Sequence, residues 1–326
     1  MSEYKGIKGF SIQSLSADPA DPNIGQVWYN STSASFKVTT ITTSGTWATG
    51  NNLNTARYLA GGAGTQTAGL AFGGYNDPAG ITGSTELYDG TNWTSVNSMI
   101  TARRNLTGAG TQTAGLAFGG FATTISTATE EYDGNSWTSS PGSLNTGRRY
   151  LAGCGTQTAG LAIGGYTGTV YTGATEEYDG TSWTSSNPLN TARIALGGAG
   201  TQTAGLAFGG DLPGVSTASE EYDGNSWTSS NPINTARYDL AGAGIQTSAL
   251  AFGGYTGTAY TGATEEYDGT SWVTSPASLN TARSLLAGAG TQTAALAAGG
   301  NDGSTLAATE EWLGAGVALT KTITVS

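Results

Sequence analysis

Six arginines recur at almost constant spacing: Arg57, Arg103, Arg148, Arg193, Arg237 and Arg283 stand 46, 45, 45, 44 and 46 residues apart. Carboxylate pairs recur with them, as Glu130-Glu131, Glu176-Glu177, Glu220-Glu221, Glu265-Glu266 and Glu310-Glu311. Two carboxylates side by side can perform general acid–base work, but a catalytic pair occurs once per enzyme and not once per repeat. The spacing therefore reads as structural, an ion pair between neighbouring repeats made with these glutamates or with the aspartates of nearby DG turns. An anion-binding ring of arginines is the functional counterpart. Histidine is absent, which removes the usual general base and the commonest metal ligand. The single cysteine, Cys154, takes a place where the other copies carry alanine, so it reads as a small buried residue and not as a nucleophile. No phosphate loop, triad or metal cluster remains. The residues point to no enzyme, no cofactor and no metal.

The elements that carry these residues form a unit of about 45 residues, a period that signals a repeat architecture. It is clearest at 191–235, "TARIALGGAGTQTAGLAFGGDLPGVSTASEEYDGNSWTSSNPINT". Two small-residue apolar strands flank a "GTQT" turn, and a variable polar segment leads to a third strand, "SEEY". The following "DG" is a strong hairpin signal and delivers the chain into a fourth strand around Trp227. Four antiparallel strands per unit, six units in line, is the sequence form of a β-propeller. The 52 glycines and 11% charged residues agree with this. Small side chains crowd the first strand of each unit, where the innermost strands must converge.

The units resemble the kelch family. Each carries a diglycine after its second strand (Gly73-Gly74, Gly119-Gly120, Gly164-Gly165, Gly209-Gly210, Gly253-Gly254, Gly299-Gly300). Five then carry a tyrosine (Tyr88, Tyr132, Tyr178, Tyr222, Tyr267) and a tryptophan (Trp93, Trp137, Trp183, Trp227, Trp272). The last unit departs, with Trp312 in the tyrosine place and Val317 in the tryptophan place. The resemblance covers roughly 45–313 and implies a kelch-like propeller. A kelch-type copper oxidase needs histidines, so that activity is excluded. The "DGTSW" turns are one residue too short for the Asp-box of sialidases.

Before the repeats, residues 1–25 contain no apolar run long enough for a signal peptide or a membrane span and read as an extended anchoring arm. Residues 26–44 read as a short β-hairpin cassette, and 314–326 as a C-terminal β tail able to pair with "SFKVTTIT". Trp47 stands eight residues before Thr55, as Trp183 does before Thr191. The N-terminus thus supplies a lone fourth strand and the last unit only three good ones. The expected fold is all-β, a propeller of six four-stranded blades closed by this N-terminal strand, with a seven-bladed ring as the alternative. The stretch "ADPADP…GQVWYNSTS…FKV" followed by "GTW" resembles the N-terminal module of tailed-phage virion proteins, particularly marine ones.

Variation among the six copies is uneven. The "GTQT" and "DGTS" turns are nearly fixed, whereas the loops after the diglycines and the two residues after each arginine vary. In an antiparallel blade both variable sets lie on one face, and rigid scaffolds carry function on such loops. The candidate ligand-binding residues are Tyr58, Arg104, Asn105, Arg149, Tyr150, Tyr238 and Asp239 after the arginines. Tyr75, Phe121, Tyr166, Asp211, Tyr255 and Asn301 open the variable loops. They are expected to be an exposed rim.

A net charge of −11 opposes a nucleic-acid partner, which requires a basic face. The phage resemblance implies a non-enzymatic virion protein on the particle surface, joined to other virion proteins through its N-terminal arm. Its propeller would adhere to a host-surface glycan or protein. Neither membrane nor nucleic acid is an expected partner, and a homo-oligomer stays open. The alternatives are a structural decoration protein of capsid or tail, and a bacterial carbohydrate-binding propeller module.

Overall fold

A computed structural model describes residues 12–19, 24–41, 44–316 and 318–323, and every regular element among them is a strand. The chain divides into two compact units, one drawn from residues 1–44 and 314–326 and one from 45–313.

The larger unit repeats one four-stranded antiparallel sheet six times among the described residues, the architecture of a β-propeller. In the copy that begins at Thr191 the strands are Gly197–Thr201, Ala204–Phe208, Ser219–Tyr222 and Trp227–Ser230. Gly197 faces Phe208 across the first pair, and Tyr222 faces Trp227 across the last. In the final sheet, Ala287–Gly290, Ala294–Ala298 and Thr309–Leu313 are joined by Thr46–Gly50. Trp312 there faces Trp47 as Tyr222 faces Trp227. Val317, expected in that tryptophan place, lies outside the described residues.

Apolar residues alternate with small ones because the sheets bury both faces against one another. The core is accordingly a series of clusters, each shared by two successive copies. In one of them Ala152, Cys154, Leu161 and Ile163 meet Leu196, Ala207, Tyr222 and Trp227. Aromatic pairs recur at these seams: Phe72 with Trp137, Phe118 with Trp183 and Phe208 with Trp272, each at 4.9 Å between ring centroids. Tilted aromatic pairs of this kind contribute about 0.5–1.5 kcal/mol beyond the area they bury. The first strands approach so closely that a Cβ on Gly242 would stand 2.4 Å from the Gly198 carbonyl oxygen of the preceding copy. Burial pushes the Cys154 thiol up to about 12, so it stays protonated and unreactive at neutral pH.

Three polar devices recur in every copy. The Nε1 of each tryptophan that opens a fourth strand donates to the hydroxyl that opens the third strand of the preceding copy, at 2.8–3.1 Å in all six cases. Each "GTQT" glutamine donates to two backbone carbonyls of the preceding copy at 2.6–3.2 Å. The third device is the arginine. Arg103, Arg148, Arg193, Arg237 and Arg283 meet Glu130, Glu176, Glu220, Glu265 and Glu310 at 2.7–3.2 Å, and Arg57 meets Glu86. Both partners are buried throughout. The pair therefore lies within one copy and corrects the expectation of a bridge between copies. Each glutamate also accepts backbone N–H groups of the segment leading into its copy, Asn145 and Thr146 on Glu176 for example. A buried charge is tolerated only with such company.

The aspartates of the DG turns have a local task. Asp179 accepts from the N–H groups of Thr181 and Ser182 at 2.8 and 2.7 Å, and these bonds hold its carboxyl below the usual range.

The smaller unit is one sheet. Gln13–Leu15 runs parallel to Val27–Asn30, which is antiparallel to Ser35–Ile41, and Ala318–Thr322 runs antiparallel to Ser35–Ile41. Part of the segment expected as an extended arm is thus a paired strand; residues 1–11 and 20–23 lie outside the described residues. Trp28 is fully buried, and its Nε1 donates to Asp18 at 2.9 Å, beside the Asn30 amide at 2.7 Å.

Candidate functional site

The two residues after each arginine have distinct tasks, which the backbone fixes. The first forms a β-bridge with the residue that follows the diglycine: Tyr58 with Tyr75, Arg104 with Phe121, Arg149 with Tyr166, Ile194 with Asp211, Tyr238 with Tyr255 and Ser284 with Asn301. The diglycine is needed for this approach. Gly209 and Gly210 have φ of 63° and 98°, and a Cβ on Gly210 would stand 2.7 Å from the Ile194 carbonyl oxygen.

The second residue is left-handed in all six copies although none is glycine. Leu59, Asn105, Tyr150, Ala195, Asp239 and Leu285 have φ between 53° and 59°, a conformation costing roughly 1 kcal/mol or more for each residue. A cycle of hydrogen bonds holds them there. The N–H of Asn105 donates to the Leu59 carbonyl, Tyr150 to Asn105, Ala195 to Tyr150, Asp239 to Ala195, Leu285 to Asp239 and Leu59 to Leu285, at 2.7–3.1 Å.

These six residues line a cavity of about 90 Å³. Beyond it lies a second space of about 170 Å³, lined by residues such as Gly61, Gly108, Gly153 and Gly197 of the first strands. A third, of about 100 Å³, is lined further along the same strands by residues such as Gly64, Gly110 and Gly155. The sequence-derived candidates are therefore brought together: Asn105, Tyr150 and Asp239 line the first cavity, and the other ten are in the bridges beside it. Most are half-buried and Asn105 is buried, where an exposed rim was expected. In four of the bridges the two side chains also pack on each other, Tyr58 on Tyr75, Arg104 on Phe121, Arg149 on Tyr166 and Tyr238 on Tyr255, which removes part of each from water.

The chemistry differs around the site. Arg104 stacks on Tyr75 and Phe121 at 5.1 and 5.4 Å, and Arg149 on Phe121 and Tyr166 at 5.2 and 5.4 Å. The later copies carry carboxylates and tyrosines instead. Tyr171 donates to Asp211 at 2.9 Å, Tyr260 to Asn301 at 3.0 Å, and Tyr238, Tyr255 and Tyr260 form a chain of ring contacts. Burial in the opening pushes Asp239 up to about 7, and the Asp211 charge adds to the effect. The hydrogen bond to Asp211 raises Tyr171. Residue-by-residue reading missed Tyr171 and Tyr260; the doubled tyrosine of "YTGTVYTGA" and "YTGTAYTGA" was the available signal. It also passed over Ile194 and Ser284, which hold the same backbone position with less chemistry to offer.

Among the described residues no group of three or more His, Cys, Asp or Glu side chains is placed to hold a metal ion. Among the same residues no helix is long and apolar enough to cross a membrane. No protein-family model matches the chain, and no curated protein matches it in sequence. Solved structures do resemble it. One, described as the structure of YjhT, superposes with a TM-score of 0.67 at 13% identity, covering 80% of this chain and 95% of that one. At that identity the likeness concerns the fold, and the fold it supports is the propeller of repeated four-stranded sheets.

Proposed function

We propose that the chain is a non-enzymatic virion protein of a tailed phage, displaying a kelch-like propeller whose variable face adheres to a host-surface glycan or protein. The ring would have six blades, with Thr46–Gly50 as the outer strand of the last. Support for closure comes from the three series that return to their start: tryptophan to hydroxyl, glutamine to carbonyl, and the left-handed N–H cycle. The virion assignment is supported by the resemblance of the N-terminal cassette, and attachment to other virion proteins would use the unit that contains it.

One observation carries the recognition reading. The positions that vary among the copies are gathered by the bridges and the N–H cycle around a single opening. The invariant "GTQT" glutamines are instead consumed in holding copies together. Tyrosine and arginine are the side chains that recur at binding hot spots, and here they are presented on a rigid scaffold.

Two multi-site variants test this. Replacing Tyr58, Arg104, Arg149 and Tyr238 by alanine should abolish adsorption to host cells or binding to host glycans. Replacing Thr67, Thr113, Thr158 and Thr203 of the fixed turns should not. Loss in the second variant alone would move the site to the other end of the strands, and loss in neither would favour a decoration protein.

A further inference from the structure

The chain has eight arginines, and the buried pairs with glutamate use six of them. The remaining two, Arg104 and Arg149, stand in consecutive copies on the candidate face, and neither is ion-paired among the described residues. They share one ring. Phe121 lies between them, and Tyr75 and Tyr166 close the two ends, giving the alternation Tyr75, Arg104, Phe121, Arg149, Tyr166. Aromatic stacking occupies the faces of a guanidinium and leaves its in-plane donors free, the geometry that receives an oxyanion in fork-like fashion.

The Nε atoms of Arg104 and Arg149 are buried without a partner, as are those of five of the paired arginines. Particular to this place is the Nδ2 of Asn105, buried without a partner in a residue only 5% exposed on the wall of the cavity. Leaving a buried donor unpaired costs free energy that a ligand acceptor would return. No carboxylate is among the residues stacked with the two arginines; Asp77, two residues beyond Tyr75, acts electrostatically on Tyr58, as Arg104 does in the opposite sense, but accepts from the Thr305 hydroxyl at 3.0 Å, and Asp211 and Asp239 belong to later copies. In a chain of net charge −11, two unneutralised arginines side by side form a local reversal of sign.

Resting on the recognition reading above, we propose that the ladder from Tyr75 to Tyr166 is a subsite for an oxyanion substituent, carboxylate or sulfate, of an acidic saccharide. Arg104 and Arg149 supply the charge and the in-plane donors, and Asn105 donates from the cavity wall. The three rings hold both guanidiniums in place and offer apolar faces to the sugar.

Calorimetric titration of the full chain with three hexasaccharides tests the proposal: one uronate, one sulfated and one neutral. At least one acidic probe should bind tenfold or more tightly than the neutral one. Its affinity should fall at least tenfold between about 50 mM and about 500 mM salt, as screening of an ionic contact requires. Arg104→Ala and Arg149→Ala should each lose tenfold or more. Arg104→Lys with Arg149→Lys keeps the charge but not the fork and should lose affinity while keeping salt sensitivity, which covers the case where the alanine variants fold poorly. Equal binding of the neutral probe, no binding of either acidic probe, or unchanged affinity in the arginine variants would overturn the proposal. Inorganic sulfate binding as tightly as the sulfated hexasaccharide would overturn the saccharide part. Loss of host adsorption in the four-site variant without acidic-probe binding would overturn the anion subsite and leave the recognition face standing.

Discussion

The indole Nε1 of Trp47 donates to the Thr264 hydroxyl at 2.9 Å across 217 positions of sequence, in the same manner as Trp227 does to Thr175. Trp47 also packs on Phe252 and Trp312, with ring centroids 5.1 and 5.3 Å away. An N-terminal tryptophan thus stands where the last copy has none of its own. Trp47→Ala should cost about 3–5 kcal/mol in chemical denaturation, the usual range for deleting a buried aromatic. Removing residues 1–50 should also bare the edge of Thr309–Leu313, and the truncated chain should self-associate. A truncation that stays monomeric with an unchanged melting temperature would sink closure by this strand.

The repeat also has a defect. The hydroxyls of Tyr178, Tyr222 and Tyr267 each meet a glutamate and a serine of the preceding copy: Glu131 and Ser140, Glu177 and Ser186, Glu221 and Ser230. Ahead of Tyr132 the first copy instead has Leu87 and Val96, which pack against its cluster, and the Tyr132 hydroxyl is buried without a partner. Tyr132→Phe should therefore be neutral or stabilising by up to about 1 kcal/mol, whereas Tyr222→Phe should destabilise by about 1–3 kcal/mol by orphaning Glu177. Equal losses in the two variants would contradict the pairing.

Arg193 and Glu220 are almost fully buried, 2.9 Å apart. Arg193→Met leaves a buried carboxylate without its counter-charge and should cost about 3–5 kcal/mol. Combining it with Glu220→Met should cost less than the sum of the single changes, with a coupling of about 1–3 kcal/mol in a double-mutant cycle. Strict additivity would mean that the ion pair itself contributes nothing. Recovery should stay partial, because Arg193 also donates to the carbonyls of Gly209 and Ala218.

Asp239 gives stability a definite dependence on pH. Folding raises its pKa to about 7, whereas an unfolded aspartate titrates near about 4. Between these values the folded chain holds a proton that the unfolded chain has released, so this group's contribution falls as pH rises through the window and levels off above it. Asp239→Asn should remove that component. Relative to the parent chain it should be more stable at pH 8, by roughly 1–3 kcal/mol, with little difference at pH 4. An equal difference at both pH values would show that the carboxyl ionises freely in the opening. The DG aspartates act in the opposite sense and elsewhere: their lowered values mean that their contribution is lost as pH falls below the ordinary aspartate range.

Much of the architecture is written locally. Hairpin residues, strand alternation and a period near 45 specify four strands per copy, because turn chemistry and side-chain period act over a few residues. The displaced tryptophan at 47 was likewise legible, since it keeps its eight-residue distance to the next lead-in. The placement of variable positions on one face followed from strand direction alone. What the tertiary structure decided are matters of partner choice. The arginine spacing could not say whether its carboxylate lay in the same copy or the next, and packing settled it on the same one, where the lead-in backbone shares the glutamate. Nothing local marks Leu59, Asn105, Tyr150, Ala195, Asp239 and Leu285 as left-handed, for no glycine stands there; the N–H cycle among distant copies imposes it. The freedom of Arg104 and Arg149 is likewise tertiary, since it exists only because the other six arginines found glutamates and these two found rings.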